Sequence, residues 1–151
     1  MLRNCFLFVL VVVLTTGLFV AQTTWSNLLW LFEMQMPING EIIITAMISD
    51  LMGLNGGGVL PIPMVAIVSV VLFIAFAVAR TLSAWMMINP TLLYSIGGAL
   101  GIWTLVFVMP FFFFDVDVMA GARTKLGKLV IAIIGGIGGY LFGTNLTRSK
   151  S

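Results

Sequence analysis

The sequence contains no histidine. That absence removes bis-histidine haem, histidine-ligated metal centres and a histidine general base from the chemistry available. There is a single cysteine, Cys5, so the chain can form neither an internal disulfide nor a CxxC redox pair. No GxxxxGK[ST] stretch occurs, which excludes a phosphate-binding loop of that type. Charge is scarce as well. Asp, Glu, Lys and Arg make up 8% of the 151 residues, where soluble domains carry about 25%. The net charge of +2 comes from scattered bases, so no electrostatic footprint for nucleic acid exists.

What fills the chain instead is apolar. Hydrophobic residues account for 61% of the sequence, and the mean hydropathy is +1.19. Such values exclude a water-soluble globular domain, and they exclude disorder, which requires low hydrophobicity and high charge. The length permits one domain, taken as 1–151. The fold class expected is therefore all-α, a polytopic integral membrane protein.

Four apolar runs predict spanning helices, over about 5–21, 63–85, 91–114 and 126–144. Local chemistry supports their ends. Pro61 and Pro63 precede the second run, where proline suits a first helical turn. Asn89-Pro90 reads as an N-cap followed by a proline at the first helical position of the third. Pro110 is expected to kink or loosen the last turn of that run, and Asn145 to cap the end of the fourth. The first run has a basic start at Arg3, as a secretory signal does, but its apolar core is long and Phe19 is a poor residue three positions from a cut after Ala21. Retention as a membrane helix is the expectation.

Between the first two runs, 22–62 holds no Lys or Arg but three acids, Glu33, Glu41 and Asp50. This is the pattern of a translocated segment. Within it Glu41, Thr45 and Ser49 recur every four residues, with isoleucine, leucine and methionine around the rest of the circumference. The spacing predicts an interfacial amphipathic helix between the first and second spans, opened by Asn39-Gly40. Trp25 and Trp30 fit an interfacial belt just past the first span. Placing 22–62 outside puts Arg3, Arg80, Arg148 and Lys150 on the cytoplasmic side and Arg123, Lys125 and Lys128 on the other. All five acids then fall outside. The expectation is a bacterial inner membrane protein, or its equivalent, with both termini cytoplasmic.

Few residues could carry chemistry. Asp115 and Asp117 are candidate functional charges at the outer end of the third run, in reach of Arg123 and Lys125. Their spacing matches no defined metal loop. Arg80 is a charge inside the second apolar run, and it lies near the run's end, where snorkelling to lipid phosphate suffices. The ten methionines are dispersed, which suits adaptable packing better than a copper(I) site. No acid sits mid-span as coupled carriers usually require.

Small residues are the more informative signal. Gly135, Gly139 and Gly143 form GxxxGxxxG on the fourth run, and Gly97 and Gly101 form GxxxG on the third. Residues four apart share a helix face, and glycine there lets another backbone approach closely. Packing of the third and fourth runs on one another is the first expectation, with self-association the second. The function expected is non-enzymatic: an accessory or scaffold subunit of a membrane complex, without cofactor or metal. Its partners would be the lipid bilayer and other membrane subunits or further copies of itself, and not nucleic acid. The alternative is a homo-oligomeric channel or small-solute transport component lined by the glycine-rich fourth helix.

Overall fold

A computed structural model describes residues 2–36, 39–55, 63–85, 88–112, 122 and 124–147. The described residues form five helices: α1 (Leu2–Glu33), α2 (Gly40–Asn55), α3 (Met64–Trp85), α4 (Pro90–Phe112) and α5 (Lys125–Thr147). Four of them, α1, α3, α4 and α5, are long and apolar enough to cross a membrane. The chain is thus an all-helical protein with four candidate spans and a shorter helix between the first and second.

Helix starts follow the expected cap chemistry. The Asn89 side chain accepts from the Thr91 amide at 3.1 Å, with Pro90 directly behind it. The Asn39 carbonyl accepts the first amide bonds of α2. Thr124 opens α5, its hydroxyl accepting from the Gly127 amide at 2.9 Å. α4 carries Pro110 in its last turn and is described to Phe112. The expected end of α5 moves. Asn145 is not the residue that ends α5; it lies within the last turns, where its side-chain amide donates to the Leu141 carbonyl at 2.8 Å.

α1 departs most from its apolar run. It extends twelve residues past Ala21, to Glu33. Hydropathy falls at Gln22, but the polar residues that follow do not break a helix. Thr23 and Ser26 each donate a hydroxyl hydrogen bond to the carbonyl four residues back, which keeps their oxygens satisfied within the helix. The helix stops in a Schellman arrangement. Gln35 adopts a left-handed φ of 56°, and the Gln35 and Met36 amides bond back to the Phe32 and Leu31 carbonyls. At about 1.5 Å per residue such a helix is roughly 48 Å long. That exceeds the hydrocarbon core of a bilayer, about 30 Å thick.

The spans close into a ring: α1 packs on α5, α5 on α4, α4 on α3, and α3 again on α1. Phe19, Met64, Leu72, Ile102 and Ile131 are fully enclosed at its centre. One end is tied by aromatic rings from all four spans. Phe76 stacks on Phe142 with centroids 4.6 Å apart, and Tyr94 and Phe8 meet that pair edge-on. Because Phe8 and Tyr94 begin their helices while Phe76 and Phe142 end theirs, the start of α1 and the end of α5 lie at the same end of the bundle. Outward-facing residues such as Val13, Phe73, Leu100 and Ile133 are apolar and exposed. This distribution suits hydrocarbon outside as well as inside.

α2 docks through an unexpected edge. Its apolar residues, Ile44 and Met52 among them, remain exposed, and Ala46, Asp50 and Gly53 are the partly enclosed positions. Asp50 accepts a hydrogen bond from the Thr24 hydroxyl at 2.8 Å, which joins α2 to α1. An apolar helix held along one small-residue edge leaves the rest of its surface for the membrane interface. Hydrogen bonds to charged groups contribute about 1.5–3 kcal/mol. Asp50→Ala is therefore expected to free α2 while the four-span ring stays folded. Hydrogen exchange should rise over 40–53 and stay unchanged in α4 and α5, and Asp50→Asn should restore most of the protection.

Candidate functional site

The glycines divide between two neighbours. An added Cβ on Gly135 would lie 2.5 Å from the Gly98 carbonyl oxygen and 2.6 Å from Ile102 Cγ1. On Gly139 it would overlap the Tyr94 carbonyl and approach Ser95 Cα at 3.0 Å, and on Gly143 it would meet Thr91 Cα at 2.8 Å. The Ser95 hydroxyl adds a bond across the same seam, donating to the Gly136 carbonyl at 3.0 Å. The partner of the α5 glycines on α4 is thus Gly98, with Tyr94 and Thr91, and not Gly97 or Gly101. Those two point the other way. An added Cβ on Gly97 would be 3.2 Å from the Ala75 carbonyl oxygen, and on Gly101 it would be 3.0 Å from Ala75 Cβ, both on α3. Adjacent glycines at 97 and 98 let α4 approach α3 on one side and α5 on the other.

α5 presents another glycine to α1. Gly138 faces Thr15, whose hydroxyl oxygen occupies the position an added Cβ would take. Thr15 belongs to a repeat on the inner face of α1. Val11 and Val12, Thr15 and Thr16, Phe19 and Val20, and Thr23 and Thr24 are all buried, each pair four residues after the last. Positions repeating every four residues follow a ridge inclined about 26° to the helix axis. The Thr15 and Thr16 hydroxyls, unlike those of Thr23 and Thr24, have no hydrogen-bond partner among the described residues. This alternation of apolar and threonine pairs is visible as spacing in the sequence, and sequence reasoning passed over it.

The close α3–α4 contact produces a concave feature on the surface. Where the helices touch through Ala75, Ala79, Gly97 and Gly101, their walls are low. Larger side chains, such as Val78 and Leu100, stand on either rim. The result is a furrow of about 820 Å³ running from Ile67 to Leu82 along α3 and from Leu93 to Met109 along α4. Fifteen residues of helix make it about 22 Å long. Thr104 is its single hydroxyl-bearing residue, and that hydroxyl is already donated to the Leu100 carbonyl at 2.8 Å. Among the described residues no charged side chain lines the furrow. Its walls can hold a hydrocarbon surface by contact, but they offer no acid, base or nucleophile.

The candidate charges do not gather around it. Arg80 is exposed on α3, one turn past Phe76, and does not line the furrow. Asp115 and Asp117 lie outside the described residues, as does Arg123. Glu33 and Glu41 are exposed, and Asp50 is engaged by Thr24. Among the described residues no group of three acids, histidines or cysteines is placed to hold a metal ion. Lys128 lies over the Phe107 ring at 5.1 Å and links α5 to α4 at the end of the bundle away from the aromatic cluster. No family model, curated protein or solved structure matches the chain.

Proposed function

We propose that this chain is a small, non-enzymatic accessory or scaffold subunit of a membrane complex, and that a partner's transmembrane helix lies along the α3–α4 furrow. The observation that carries this reading is the furrow itself, an uncharged hydrocarbon trough about as long as most of a bilayer core. Association within lipid is driven by van der Waals contact between fitted surfaces, since lipid tails are as apolar as the helices. Small residues at the floor let a third helix approach two backbones at once. The bacterial inner membrane or its equivalent is the proposed location. Cytoplasmic placement of the start of α1 and the end of α5 draws support from their shared end of the bundle and from Arg3 and Arg80 on the helices there.

A pathway lined by α5 draws less support. Its glycine faces are filled by α4 and α1. Its outward residues, including Leu129, Ile133, Ile137 and Tyr140, form no polar stripe along which a solute could pass.

The test is purification in mild detergent with mass spectrometry of co-purifying proteins, for the native chain and for Leu100→Trp. Leu100 is 54% exposed on the furrow's rim, so an indole there obstructs the trough and leaves the core alone. The expected result is a stoichiometric membrane partner that the variant loses, with thermal stability unchanged. A protein that purifies alone, or a partner retained in full by the variant, would contradict the proposal.

A further inference from the structure

We draw no further inference here: the strongest candidate, the pair of buried hydroxyls of Thr15 and Thr16 on the inner face of α1, unpartnered among the described residues, has Thr15 pressed against Gly138, and nothing in the structure shows what the pair would bind.

Discussion

Gly139→Ala is expected to be the most damaging single-methyl change in the protein. The added carbon would overlap the Tyr94 carbonyl and come within 2.7 Å of the Tyr94 carbonyl carbon. These are backbone atoms inside a helix, so no side-chain rotation can clear the space. α4 and α5 would have to move apart, which would also stretch the Ser95–Gly136 bond and the contacts at Gly98. Overpacking of a tight core costs about 1–3 kcal/mol, occasionally more, and a collision with backbone belongs at the upper end. Two controls separate this from a general intolerance of alanine. Gly136→Ala meets the Ala99 methyl at 3.4 Å and Ser95 oxygens at 3.6 and 3.8 Å, all ordinary contacts, and Gly17→Ala has nothing within 4 Å. Both should be neutral or slightly stabilising, because alanine is favoured over glycine inside a helix by about 1 kcal/mol. Thermal unfolding in detergent micelles, followed by circular dichroism, orders the three. Equal midpoints for Gly139→Ala and Gly17→Ala would mean that α4 and α5 do not meet along this seam.

Phe76→Ala should have an effect of similar size by the opposite route, through a void. Phe76 is 5% exposed and contacts rings from each of the other spans: Phe142 stacked at 4.6 Å, Tyr94 edge-on at 5.6 Å and Phe8 edge-on at 6.2 Å. Deletion of a buried phenylalanine side chain costs about 3–5 kcal/mol in cores studied by mutation. In lipid the part owed to water exclusion shrinks, so lost packing and ring geometry make up most of the penalty. Phe76→Leu, which refills most of the volume, should recover a large share. The position of α1 is the most sensitive readout, since Phe8 joins the cluster from a helix that is otherwise laced with threonine. Equilibrium unfolding in bicelles, with a fluorophore on Cys5 and an acceptor on α4, should show α1 separating at lower denaturant in the alanine variant. Unfolding at the native midpoint would show that the cluster does not hold the ring closed.

How much of this was legible beforehand differs from element to element. The spans from Pro63 onward were most readable at their starts, where Pro63 and Asn89-Pro90 open α3 and α4. α1 was readable only in part. Hydropathy reports the medium a residue prefers, whereas helix continuation depends on whether polar side chains compete for the backbone, and the hydroxyls of Thr23 and Ser26 bond within the helix instead. The glycine spacing pointed to faces of close approach without naming what each would meet, because Gly97 and Gly98 differ by only one residue yet address helices on opposite sides. The α3–α4 furrow was not legible at all. It arises from the relative placement of two rims, and neither helix carries a sequence signal for it. The α2 edge was hidden for a related reason. The alternation of Glu41, Thr45 and Ser49 is the conspicuous feature of that helix, but the docking residues are the quieter Ala46, Asp50 and Gly53.

The central claim is that α1, α3, α4 and α5 cross the bilayer in alternation, with α2 on the face opposite to the start of α1 and the end of α5. Cys5 is the chain's single cysteine, so Cys5→Ser gives a background on which introduced thiols report position without interference. Single cysteines at Glu41, exposed on α2, and at Asn145, exposed near the end of α5, can be labelled in intact cells and in inverted membrane vesicles with a membrane-impermeant maleimide. The account expects labelling of position 41 from outside alone and of position 145 from the cytoplasmic side alone. Labelling of both positions from the same side would contradict it.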